Sequence, residues 1–247
     1  MKEKKSAGKN VSAVQPMEQS KSDAHSSENS QAAGQSFVKS QAVEQSSENS
    51  QAVGQQPTAS DTHESWKPGT MIYPLPAVLV SCGRTPEEYN LITISWVGTI
   101  CSNPPMCYIS VRPERHSYTI LKESGEFVIN LTNEAMAYAT DWCGVRSGKN
   151  FNKFKKMKLS PVKAEKVNAP IIKESPLCIE CRVKEIISLG SHDMFIAEVV
   201  NVLADKQYIN SETDKFDLAM AKLVAYSHGH YYKMGEEIGK FGWSVKR

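Results

Sequence analysis

No apolar run in this sequence approaches twenty residues, the length a helix needs to cross a bilayer, so no membrane-spanning helix is expected. GxGxxG is missing, which removes support for a Rossmann dinucleotide site, and GxSxG is missing, which removes the nucleophile elbow of a serine hydrolase. Charge of neither sign dominates: 29 Lys and Arg against 27 Asp and Glu leave a net +2, too little for a nucleic-acid footprint. The basic start Met1-Lys-Glu-Lys-Lys5 is not followed by an apolar stretch of signal-peptide length. Cysteine is scarce as well. Cys82, Cys101, Cys107, Cys143, Cys178 and Cys181 lie mostly inside apolar runs, as buried thiols of a reducing compartment do, so the protein is expected to be cytoplasmic.

Aromatic residues are almost absent from the first 63 positions, where Phe37 stands alone. SSENSQAAGQS at Ser26–Ser36 returns as SSENSQAVGQQ at Ser46–Gln56, a twenty-residue period. Solenoid repeats of that spacing need apolar positions to bury against their neighbours, and here little beyond Ala and an occasional Val recurs. Residues 1–64 are therefore expected to be a disordered low-complexity tail, serving as a tether or as a dispensable extension.

Residues 65–247 are enough for one domain with a sizeable core. Ala77–Cys82 reads as a buried strand closed by the turn signal Gly83-Arg-Thr-Pro86. Leu91–Cys101 and Met106–Val111 read as paired strands around the break Ser102-Asn103-Pro104-Pro105, where proline removes a backbone donor. Glu126–Leu131 is a further strand, and Asn133–Trp142 and Asn150–Met157 are short helices, the second with Asn150 as cap. Cys178–Ile187 alternates, with Ile179, Cys181 and Val183 opposite Glu180, Arg182 and Lys184. Gly190 then turns the chain into Met194–Leu203, apolar enough to be buried on both faces. Many strands, few helices and no regular alternation between them predict an antiparallel barrel.

The densest chemistry lies between Asn90 and Leu121. Its second strand ends at Arg112-Pro113-Glu114-Arg115-His116, and a helix follows with Ser117 as its expected N-cap and Gly125 as its stop. A helix start with unpaired amides, beside two forked guanidinium groups, is suited to a phosphate. Elsewhere the signals are weaker. Gly144-Val-Arg-Ser-Gly148-Lys149 has its glycines one residue too close for a nucleotide P-loop, although Lys149 could reach a phosphate. Cys178-x-x-Cys181 on a strand points its thiols to opposite faces, so core cysteines are expected there. His228-x-His230 has no nearby carboxylate or thiol, so a surface pair is expected rather than a metal site. The turn Gly190-Ser-His192-Asp193 leaves two readings open, a simple β-turn or a histidine at a cofactor's edge.

Several of these segments occur in one order: Thr93-Ile-Ser95-Trp96, Cys101-Ser-Asn-Pro-Pro105, Ser110-Val-Arg-Pro-Glu-Arg-His-Ser117, GEFVINL, Asp141-Trp-Cys-Gly144 with Ser147-Gly-Lys149, and Leu189-Gly-Ser-His-Asp193. Together, from about Tyr73 onward, they resemble the flavin reductase-like, FMN-binding split-barrel family, and most closely its flavoredoxin branch. The resemblance implies a mainly β, six-stranded antiparallel Greek-key barrel with short peripheral helices, forming a homodimer with one FMN per subunit. It implies that Thr93, Ser95 and Trp96 line the ring and ribityl chain, with Cys101 among the cofactor-binding residues. Arg112, Arg115, His116 and Ser117 would hold the phosphate, Lys149 or Lys153 would reach the phosphate or the ring, and His192 would stand where the electron donor approaches. Many flavin reductases carry a serine or alanine run before the hairpin; here it is Ser95-Trp96, and nicotinamide stacking then requires Trp96 to move.

Two functional classes follow. One is an NAD(P)H-dependent flavin reductase, in which bound FMN does the chemistry and the protein supplies position and tuning. The other is an FMN electron carrier that exchanges electrons with a small-molecule or protein partner.

Overall fold

The structure is a computed structural model that describes residues 58–245. The twenty-residue repeat and the expected disorder of the tail lie outside these residues. The chain divides at Ser65/Trp66. Residues 58–65 carry only a short 3-10 turn at Ala59–Asp61, and the rest of the description concerns the second unit.

Seven antiparallel strands form the main sheet: β1 (Val78–Cys82), β2 (Asn90–Ile94), β3 (Val97–Ser102), β4 (Pro105–Val111), β5 (Glu126–Leu131), β6 (Leu177–Ser188) and β7 (Asp193–Ala204). Their order across the sheet is β2-β1-β5-β6-β7-β4-β3. The two edge strands, β2 and β3, are neighbours in the chain, joined by Ser95-Trp96 alone, so the sheet curls until its ends nearly meet. One core cluster draws residues from nearly every strand: Val80, Ile92, Ile109, Phe127, Cys181 and Phe195 all point into it. That is the inner face of a curled sheet.

The strand count is seven where six were expected. The run Leu91–Cys101 is two strands, because the backbone breaks at Ser95-Trp96 and Trp96 O accepts from Ser110 N at 2.9 Å. The proline-broken hairpin forms as its sequence indicated, with Asn103-Pro104 at the turn between β3 and β4. Cys178 and Cys181 face opposite sides, Cys178 beneath the outer loops and Cys181 in the interior. There Cys181 meets Cys107 at 3.5 Å.

Short helices flank the barrel, among them α1 (His116–Ser124), α2 (Ala137–Val145) and α3 (Lys153–Met157). Gly125 ends α1 in the left-handed conformation at φ 67°, its N–H donating to Leu121 O. Helix α3 is capped by Asn152, whose side chain accepts from Lys155 N, and not by Asn150. Phe151 consequently falls outside the helix and meets Trp142 edge-on, with ring centroids 5.4 Å apart.

The alternation on β6 is broken by its acid. Glu180 is fully buried and accepts from the backbone N–H groups of Glu165, Lys166 and Val167 and from Asn201 Nδ2 at 2.9 Å. Nearby, Glu126 accepts from Asn168 N and Nδ2, and Asn130 Oδ1 accepts from Ile172 N. Sheet side chains thus supply the hydrogen bonds that the loop before β6 cannot make to itself. Strand β7 was expected to be buried on both faces, and it is so only in part: Phe195 and Ala197 are inside, Val200 and Leu203 are partly buried against the outer cluster, and Val202 is exposed.

Finally, β8 (Val224–Ser227) and β9 (His230–Lys233) form a hairpin that pairs with Leu75–Pro76. His228 takes φ 47° at its tip and lies against the Tyr73 ring, with centroids 4.2 Å apart. His230 lies on the strand near Tyr232, so the two histidines meet different aromatic rings.

Candidate functional site: a cleft at the split of the barrel

A cleft of about 410 Å³ opens where the sheet ends approach each other, in the size range of small-molecule sites. The end of β2 lines it together with Ser95 and Trp96. Ser110, Arg112 and Arg115 line one side, Asp141 and Gly144 of α2 another, and His192 with Tyr226, Gly229 and Tyr231 complete it. Six of the sequence-derived candidates are therefore brought together: Thr93, Ser95, Trp96, Arg112, Arg115 and His192.

Each is held for a reason. Thr93 Oγ1 donates to Thr140 O at 2.5 Å, which leaves only its lone pairs for a ligand. Gly144 lets α2 approach that threonine, since a Cβ there would lie 3.2 Å from Thr93 Cβ. The Trp96 indole tilts over the His192 imidazole, with centroids 4.5 Å apart, and stays 37% exposed at the mouth of the cleft. Behind His192, Asp193 is buried and accepts from Tyr118 Oη at 2.6 Å and Ser188 Oγ at 2.9 Å. Those two hydroxyls hold the Asp193 carboxyl below its ordinary range and fix the turn that presents His192. The turn is thus anchored through side chains of a neighbouring strand and helix, and its histidine faces the cleft.

The cleft has a cationic and an anionic end. Arg112 and Arg115 carry the positive charge, with Arg112 also within 3.5 Å of Glu114. Opposite them Asp141 Oδ1 accepts from Tyr231 Oη at 3.4 Å, and burial followed by that carboxylate pushes the phenol up to about 12. Burial first, and then the charges of Arg112 and Arg115, depress His192 below the ordinary 6.5, with Glu114 opposing them. The charged imidazole is thus disfavoured in the fold, so this group's stabilising contribution is present above 6.5 and is lost as pH falls through the depressed value. An NMR titration of the imidazole should show a midpoint below 6.5. Arg112→Ala should raise that midpoint by less than the whole depression, because burial is the larger cause. A midpoint unmoved by the substitution would separate the two residues.

The remaining candidates lie elsewhere. Ser117 is not the cap of α1, whose N-cap is Arg115; it is buried, and its Oγ accepts from Asn90 Nδ2 at 2.8 Å. His116 lines a separate cleft with Arg84, Asn90 and Phe151. Cys101 sits near the far end of the β3–β4 hairpin, and Lys149 is exposed on the loop after α2. Lys153 is buried and donates through Nζ to Leu91 O at 2.7 Å and Cys143 O at 2.6 Å, tying α2 to β2.

Gly148, the second glycine of the phosphate-loop-like run, serves close packing: a Cβ there would fall 2.1 Å from Asn90 Oδ1. Gly148→Ala should cost about 1–3 kcal/mol in a denaturant titration, because the buried amide it displaces is held by Ser117. An unchanged midpoint would show that the amide swings aside freely. Asp141, Tyr226 and Tyr231 were not among the candidates. Asp141 stood inside one of the ordered motifs, but nothing local marks the two tyrosines, and Tyr231 lies 90 residues from the Asp141 it meets.

The donor set suits a flavin nucleotide. Two guanidinium groups at one end match a phosphate, Thr93 and Ser95 can meet hydroxyl groups, and an indole at the mouth offers a flat apolar surface. Comparison with known proteins agrees. The flavoredoxin of Desulfovibrio vulgaris (Miyazaki F) superposes with a TM-score of 0.70 at 29% identity, covering 75% of this chain and 100% of that one. The flavoredoxin of Methanosarcina acetivorans gives a TM-score of 0.66 at 26% identity, covering 74% and 100%. An uncharacterized protein of Archaeoglobus fulgidus is 29% identical over 143 residues, 58% of this chain and 80% of its own length. Residues 70–235 match the flavin reductase like domain, and the chain belongs to that family.

Proposed function

We propose that the protein binds FMN in the cleft at the split of the barrel and works as an oxidoreductase through it, with NAD(P)H as reductant. Bound flavin would supply hydride and electron transfer; the chain's residues supply binding, orientation and shelter from water. Arg112 and Arg115 hold the phosphate, Thr93 accepts and Ser95 accepts or donates along the ribityl chain, and Trp96 covers an apolar ring face. Neutral His192, set by the Asp193 anchor, stands at the mouth where a donor enters. The observation that carries this reading is the cleft itself, which joins two arginines, an indole and an imidazole from three separate segments. A homodimer in a reducing cytoplasm is the proposed setting.

One observation favours the electron-carrier alternative. The Trp96 indole rests on His192 and covers the entrance that a nicotinamide would need. Similarity to two proteins named flavoredoxin points the same way. The visible spectrum of FMN-loaded protein mixed rapidly with NADH or NADPH tests both. Bleaching of the flavin band within seconds supports the reductase, and persistence of the band until a protein reductase is added supports the carrier. A protein that stays colourless when mixed with FMN overturns both.

A further inference from the structure

Behind Trp96 lies a second cleft of about 410 Å³, which the flavin reading does not use. Met71, Leu75, Trp96, Tyr108, Ser110 and Met194 supply its walls, and no charged side chain lines it. Trp96 and Ser110 also line the first cleft, so one indole separates the two spaces. The second space is built around an aromatic ring. Tyr108 is paired with Gly98 across the β3–β4 hairpin, and a Cβ on Gly98 would come within 2.9 Å of the Tyr108 ring. Glycine therefore lets the phenol lie flat over the neighbouring strand. Its hydroxyl takes no hydrogen bond among the described residues.

We propose that this second cleft is a binding site for an uncharged, planar aromatic compound bearing one carbonyl oxygen. Charge complementarity selects against ions, because a carboxylate or ammonium entering here would lose its hydration and meet no counter-charge. Two thioethers, the aliphatic side chains of Ile72 and Leu75 and two aromatic rings provide an adaptable apolar surface that suits a flat ring. The Tyr108 and Ser110 hydroxyls supply donors for a single oxygen, which sets the ligand's orientation. Such a ligand would lie against one face of the indole whose other side borders the flavin cleft. The proposal concerns binding alone and holds whether or not FMN occupies the first cleft.

The test is calorimetric titration of the full chain with 2-acetylnaphthalene and with 2-naphthoate, which keeps the ring system and replaces the ketone by a charge. The ketone should bind and the carboxylate should bind at least tenfold more weakly. Tyr108→Phe should weaken the ketone by about two- to tenfold, the range for a lost neutral hydrogen bond. Met194→Lys should abolish ketone binding and improve that of 2-naphthoate. FMN affinity measured on the same variants should stay unchanged, so failure here is separable from failure of the flavin reading. Equal binding of ketone and carboxylate, or ketone binding that Met194→Lys leaves intact, would overturn the proposal, as would no binding of the ketone at all.

Discussion

Arg112→Ala and Arg115→Ala will each weaken FMN binding about tenfold and leave riboflavin binding nearly unchanged. Only FMN carries the phosphate, and a charge-assisted hydrogen bond contributes about 1.5–3 kcal/mol. The lower end applies here. Arg112 keeps 48% of its side chain exposed and shares its charge with Glu114, so solvent and that carboxylate screen it. The double substitution should lose more than either single one, and raising the salt concentration should weaken wild-type binding of FMN but hardly that of riboflavin. Fluorescence titration of both flavins measures the effect. Equal losses for the two flavins would place the phosphate elsewhere, with the His116 cleft beside α1 as the next position to examine.

The largest expected stability effect lies away from the cleft. Glu180→Ala removes a fully buried acceptor shared by three backbone N–H groups and an amide. Leaving several donors without an acceptor, at about 1–3 kcal/mol for each one that water does not reach, should cost about 3–5 kcal/mol in all, which for a domain of this size lowers Tm by about 10 °C. Glu180→Gln keeps one oxygen acceptor and should fall between the two. Thermal unfolding followed by circular dichroism decides the matter. An alanine variant that melts with the wild type would show that Glu126 and Asn130 hold the loop by themselves.

The strand pattern could be read because it is local. Alternation along Cys178–Ile187, the prolines at 104 and 105, and Gly125 each act through the geometry of a few adjacent residues, and those elements stand where they were expected. Polar burial could not be read in the same way. Ser117 had every local property of a helix cap, yet the buried Asn90 amide claims its oxygen, so Arg115 begins the helix. Lys153 was expected to reach the phosphate or the ring and Glu180 to share a polar face with Arg182 and Lys184, yet both are interior supports whose partners include backbone groups from other segments. A buried charge is chosen by the unpaired donors or acceptors it meets, and these are visible only once the chain has folded.

From the sequence alone came the family, the mainly β architecture, the arginine-bearing start of α1 and the pairing of Trp96 with a histidine turn in one binding region. Periodicity, proline and glycine encode the strands and the helix start within short windows, whereas the family and the shared region of Trp96 and the histidine turn came from the ordered motifs and the resemblance they carry. Tertiary structure decided how many strands the run around Trp96 makes, and which candidates face one another. It alone added Tyr226 and Tyr231, and it set Cys101, His116, Ser117, Lys149 and Lys153 outside the cleft. The reason is geometric: the cleft forms where the two ends of one curled sheet come together, and its walls are drawn from segments that no local pattern relates.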